Sequence, residues 1–160
     1  MKIYTIGVYG STEEEFFNKL VENRIDTFCD IRQRRGVRGS KYSFVNSNRL
    51  QSKLAELNIK YNHIIDLAPT IELRKMQYED NLKQGEKKEN HNQLDDEFSI
   101  VYKNEVMEKF NFDSFVKKLG KVGANHIVLF CVETNPETCH RSIVANELNK
   151  LYNFEIIHLL

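Results

Sequence analysis

Net charge is what the sequence most plainly lacks: among its 160 residues, 23 Lys and Arg balance 23 Asp and Glu. A protein whose whole surface is built to grip nucleic acid carries a basic excess, so that class is excluded. Long apolar runs are missing too, and no stretch approaches the ~20 residues that a membrane-spanning helix needs. Nor is there a charged-then-apolar N-terminal signal. Cysteine is scarce: three residues, an odd number beside no export signal, predict reduced thiols and a cytoplasmic location. Phosphate signatures are equally absent. GxxxxGK(S/T) occurs nowhere and no GxGxxG follows the first apolar run, which leaves P-loop NTPases and dinucleotide-binding Rossmann enzymes unsupported. A phosphatase-type loop, with cysteine and arginine enclosing five residues, fails because Glu137 stands at the required spacing from Cys131 and Ala145 at that from Cys139. A zinc site on Cys131, Cys139 and His140 has no CxxC pair or second cluster behind it, so no metal or other cofactor is expected.

What is present centres on Ile127 to Ser142. Its first half is an apolar run rich in β-branched and aromatic residues, which suits a strand buried on both faces of a parallel sheet, with Cys131 read as a small core residue. Its second half turns into a helix whose apolar face is Ile143, Val144, Leu148 and Leu151. Cys139, His140 and Arg141 thus fall between a strand end and a helix start, the edge where open parallel sheets bind ligands. Free N–H groups and the dipole there favour anions, and a thiol beside an imidazole and a guanidinium is expected to carry thiolate. Asn135-Pro136 also reads as an N-cap and first-turn proline, in which case the three residues sit a turn inside the helix.

Along the rest of the chain, Lys2 to Gly7 reads as a strand, followed by a helix with Ser11 and Glu14 as capping box and Phe16, Phe17, Leu20 and Val21 as apolar face. A second strand over about Asp26 to Ile31 completes a βαβ unit, predicting that the first two strands are parallel neighbours with Gly7 and Asp30-Ile31-Arg32 side by side. Arg32 to Tyr42 is a loop at the same edge, carrying Arg32, Arg34, Arg35, Arg38 and Lys41 with no acid. A helix capped by Asn46 or Ser47 and ended by a left-handed Asn58 leads to a third strand, Ile59 to Ile65, where His63 is a surface or satisfied residue. Ile71 to Leu82 reads as an exposed helix, and 83–96 as a polar, flexible insert. Phe98, Val101, Tyr102, Val106 and Phe110 form a helical stripe, and a further helix, Phe112 to Leu119, closes at Gly120 or Gly123. Phe154 to Leu159 is the last strand. The sum, over 1–160, is a single three-layer α/β domain of about five mostly parallel strands with helices on both faces.

The pattern Cys131-x-Glu133-x-x-Pro136-x-x-Cys139-His140-Arg141, with Thr5-Ile6-Gly7 and Asp30-Ile31-Arg32, resembles the family catalogued as domain of unknown function 488, over nearly the whole chain. The resemblance implies an α/β fold and supplies no settled activity. Two positions depart from the family's habit: Val8-Tyr9 stands where a His-Ser pair is common, and Leu67-Ala68-Pro69 where Leu-Gly-Gly is common.

The chemistry these residues permit is that of an anion pocket with a thiol and a carboxylate. Arg141 and Arg32 are placed to clamp a phosphate near Gly7. Glu133 or Asp30 then serves as general acid or base, with Cys139 or His140 as nucleophile or proton shuttle; alternatively the two carboxylates only pair with the arginines. The leading expectation is an enzyme acting on a nucleotide or nucleic-acid end. Its rivals are a non-catalytic nucleic-acid-binding module using the basic loop 32–41, and a redox-sensitive thiol at Cys139.

Overall fold

Five short segments form the strands β1 (Lys2–Ile6), β2 (Thr27–Asp30), β3 (Lys60–His63), β4 (His126–Phe130) and β5 (Glu155–Leu159), apolar except for the edge strand β3. In the computed structural model, which describes residues 1–84 and 96–160, they build one all-parallel sheet in the order β3-β2-β4-β1-β5. Helices α1 (Glu13–Glu22) and α2 (Ser47–Glu56) pack on one face, where Phe16, Leu20, Leu50 and Leu54 meet Ile6, Phe28, Val128 and Phe130. Helices α3 (Ile71–Gln84), α4 (Asp96–Glu105), α5 (Phe112–Lys121) and α6 (His140–Tyr152) share the other, where Leu73, Tyr102, Phe115 and Val144 cover Ile3, Cys29, Ile127 and Leu129. This is the expected single α/β domain with helices on both faces.

Strand order differs from expectation at one place that matters. β1 and β2 are not neighbours, because β4 lies between them and pairs with both, Ile6 and Asp30 each standing opposite Phe130. A right-handed βαβ crossover fixes direction and hand but not adjacency, and a crossover helix can span the width of one more strand. β4 takes the centre because Ile127 to Phe130 are all buried, as a strand covered on both faces must be. Chain connections therefore leave β1 and β2 toward one face and β4 toward the other, which opens a crevice at the C-terminal ends of the central strands.

Local details shift by small steps. The capping box is Thr12 with Glu15, not Ser11 with Glu14: the Thr12 N–H donates to Glu15 Oε2 at 2.7 Å, and the Glu15 N–H to Thr12 Oγ1 at 3.2 Å. Ser11 stays in the preceding turn, its N–H bonded to the Val8 carbonyl. Asn46 holds the N-cap position of α2, yet its side chain accepts from the Val37 N–H and so ties down the basic loop instead. Asn58 takes the expected left-handed conformation after α2, with φ 58°. The apolar stripe from Phe98 is helical only to Glu105 and continues as a 3₁₀ turn over Met107–Lys109. Of the expected insert, Lys83 and Gln84 belong to α3 and Asp96 opens α4, while 85–95 lie outside the described residues. No helix among the described residues is long and apolar enough to cross a membrane.

Candidate active site

The chain leaves β4 still bonded to β1. The Cys131 N–H donates to the Ile6 carbonyl, and the Val8 and Tyr9 N–H groups both donate to the Val132 carbonyl. Contact is closest at Gly7, where a Cβ would lie 1.9 Å from the Glu133 carbonyl oxygen. Arg141, in the first turn of α6, reaches back to the same loop, Nη1 donating to the Glu133 carbonyl at 2.6 Å and Nη2 to that of Thr134 at 2.9 Å. Gly7 and Arg141 thus hold the loop: the close backbone approach that Gly7 permits is by the protein's own chain, and the terminal nitrogens of Arg141 are engaged by carbonyls.

Asp30 and Arg32 form a second fixed unit at the end of β2. Arg32 Nε and Nη2 donate to the two Asp30 oxygens at 2.8 and 2.7 Å, Nη2 also donates to the Val45 carbonyl, and the Tyr61 hydroxyl donates to Asp30. The guanidinium lies over the Phe130 ring, 4.5 Å from its centroid. Asp30 is fully buried, so it acts on the site only through the arginine it orients. Arg32 Nη1 is buried and has no hydrogen-bond partner among the described residues. His63 is satisfied, its Nε2 2.9 Å from the Arg32 carbonyl.

The third unit is the sulfur and imidazole cluster. Asn135 and Pro136 start a separate 3₁₀ turn, Pro136–Thr138, so Cys139 is extended and stands at the N-cap position of α6. His140 Nε2 lies 3.0 Å from the Ile31 carbonyl, which can only accept, so that nitrogen carries the proton. In the neutral ring this leaves the Nδ1 lone pair facing Cys139 Sγ at 3.7 Å. Cys131 joins them: one ligand atom from each of Cys131, Cys139 and His140 lies within 4.8 Å of the others. A hydrogen bond from the Cys139 thiol, with His140 and Arg141 nearby, holds the Cys131 thiol well below the usual range, against its burial. Burial, the Cys131 hydrogen bond and the Cys131 charge push Cys139 well up. The two thiols thus share one hydrogen bond, and thiolate character belongs to the pair; the reading of Cys131 as a core residue missed its partner.

A cavity of about 650 Å³ opens over these groups. It brings together Arg32, Glu133, Cys139 and His140, as the sequence proposed, along with Cys131. Gly7, Asp30 and Arg141 are not among its lining residues and stand behind it. From the basic loop Arg34 and Arg38 reach it, whereas Arg35 and Lys41 do not line it. Sequence reasoning missed Arg74 of α3 and the walls Tyr9, Tyr42 and Tyr78, since no local pattern marks residues that meet only through the fold.

Neither a search of curated proteins nor one of solved structures returned a match. The family model described as Domain of unknown function DUF488 matches residues 12–148, and with the Cys-His-Arg block at the head of α6 inside that span, the chain belongs to this family.

Proposed function

We propose that this protein is an enzyme acting on a phosphate-bearing substrate, a nucleotide or a nucleic-acid end, bound in the cavity at the C-terminal edge of the sheet. The observation that carries the reading is the convergence of four arginines, Arg32, Arg34, Arg38 and Arg74, on the cavity that also exposes Cys131, Cys139 and His140. Guanidinium groups match phosphate oxygens two at a time, and the tyrosines of the walls offer faces on which a base can stack. Arg32 is oriented by Asp30 at the wall of that cavity, and its Nη1 has no hydrogen-bond partner among the described residues. Glu133, His140 and the Cys131 sulfur are the groups able to move a proton or attack. Three unpaired cysteines support a reducing, cytoplasmic setting.

Thermal unfolding against nucleotides, phosphorylated and unphosphorylated short oligonucleotides and sugar phosphates tests the reading. A ligand at a hundred times its dissociation constant adds ~2.7 kcal/mol, a rise of roughly 5–10 °C for a domain of this size. That rise should appear with a phosphate-bearing compound in the wild type and disappear in Arg74→Ala, which alters a half-buried cavity residue rather than the core. No rise with any of them, or an equal rise in the variant, would overturn it. One observation favours a second reading, a non-catalytic nucleic-acid module: Arg34, Arg35, Arg38 and Lys41 are all exposed along one loop. Binding of that kind would be indifferent to Cys139→Ser.

A further inference from the structure

We infer that Cys131, Cys139 and His140 form a zinc site whose fourth position opens on the cavity. The three residues sit on rigid elements: Cys131 continues β4 and is bonded to β1, while Cys139 and His140 are fixed at the head of α6 by the bond from the Cys139 N–H to the Pro136 carbonyl. Their ligand atoms lie within 4.8 Å of one another, and Cys139 Sγ is 3.7 Å from His140 Nδ1. A tetrahedral zinc with bonds of ~2.3 Å to sulfur and ~2.0–2.1 Å to nitrogen sets those two atoms about 3.6 Å apart, so the cluster needs only small movements to close on the ion. His140 already has the outer-shell partner that zinc-binding histidines use. Its Nε2–H donates to the Ile31 carbonyl and leaves Nδ1, on the sulfur side, with a lone pair.

The donor set selects the metal. Two thiolates and an imidazole are soft to borderline donors, which suit zinc and reject magnesium and calcium. Two thiolates also cancel the charge of the ion, so the surrounding arginines do not oppose it, and the positive end of α6 favours the deprotonated sulfurs. Among the described residues the cluster has three members and not four. Structural zinc is enclosed by four protein ligands, whereas catalytic zinc keeps one position for water or substrate. Here all three residues line the cavity together with Arg32, so that position faces the space into which a ligand enters. The absence of a CxxC pair, which argued against zinc in the sequence, loses its weight because the fold brings Cys131 to Cys139 from the other end of the connecting loop.

The inference does not need the phosphate reading, and zinc is read out directly. Full-length protein is reduced, stripped with chelator, dialysed against Zn(II) and assayed for metal content; Co(II) then serves as spectroscopic probe. One zinc per chain is expected, with Co(II) giving thiolate charge-transfer absorption and the intense visible bands of a tetrahedral site. Cys131→Ser and His140→Ala should lose zinc affinity by more than the ~10–100-fold that removal of an outer-shell partner costs, while Cys29→Ser, altered in the core away from the cluster, keeps it. Wild-type protein that retains no zinc, a weak octahedral cobalt spectrum, or equal loss in Cys29→Ser would overturn the site. If a ligand variant does not fold, the wild-type stoichiometry and spectrum still decide. Zinc bound with no response to any phosphate compound would keep this inference and sink the proposed substrate class; the reverse result would do the opposite.

Discussion

His158 stands opposite Thr5 in the pairing of β5 with β1, and its Nδ1 is 2.7 Å from the Thr5 hydroxyl. Partial burial lowers its pKa below the usual 6.5, the charge of Arg141 lowers it further, and Glu137 acts the other way. The unfolded chain therefore takes up the proton more readily than the folded one, so the stability this group contributes is complete above about pH 6.5 and is lost as pH falls through the folded value. The side chain is largely exposed, so the effect is small and its direction is what can be tested. Between about pH 7 and about pH 5 the unfolding temperature should fall further in the wild type than in His158→Gln; equal falls would place the acid sensitivity elsewhere. The three cysteines show how far surroundings, not residue type, set such values. Cys29 is pushed up to about 12 by burial and then by the charges of Asp30 and Asp26. Cys131 is also buried, yet goes down, because the hydrogen bond from Cys139 and the neighbouring His140 and Arg141 outweigh desolvation.

At the level of elements, the joint between β4 and α6 decides the shape of the site. A cation in the first turn of a helix sits at the unfavourable end of the dipole. Arg141 is held there, almost wholly buried, by the carbonyls of Glu133 and Thr134. Removing it leaves two carbonyls without their donor and a void in the core, a loss of roughly 2–5 kcal/mol. Arg141→Ala should therefore unfold roughly 5–15 °C below the wild type, and Arg141→Lys in between, since one ammonium replaces a fork that serves two acceptors. An unchanged unfolding temperature in Arg141→Ala would mean the clasp holds nothing. The elements themselves were legible because periodicity is local: apolar runs marked four of the strands, apolar residues alternating with polar ones from Ile59 to Ile65 marked β3, and the helical spacing of Phe16 with Leu20 and of Leu50 with Leu54 marked α1 and α2. Ser11-Thr12-Glu13-Glu14-Glu15 fits a capping box in two registers, and only the turn at Val8 selects Thr12. Arg32, Glu133, Cys139 and His140 could be placed because each follows a strand or opens a helix. The position of β4 between β1 and β2, the meeting of Cys131 with Cys139, and the contribution of Arg74 all depend on pairings between distant segments, which leave no local trace.

For the molecule as a whole, a net charge of zero conceals a basic edge, and that arrangement makes salt dependence informative. With no global field to steer a polyanion, the response of binding to salt reports the phosphates that are actually neutralised. For single strands log K falls by about 0.7 for each such phosphate per unit of log salt. A substrate end held in the cavity meets Arg32, Arg34, Arg38 and Arg74 and places one or two phosphates among them. The slope should then be about −1 and stay there as a 5′-phosphorylated oligonucleotide is lengthened. A strand laid along the loop would also engage Arg35 and Lys41, exposed but outside the cavity lining, so its slope would steepen with each added nucleotide until the loop is covered, to about −3. Dissociation constants for a series of oligonucleotide lengths over a range of salt separate the two. A length-independent slope keeps the cavity as the binding site, and a slope that grows with length moves recognition to the loop and leaves the cysteine and histidine cluster a role apart from it.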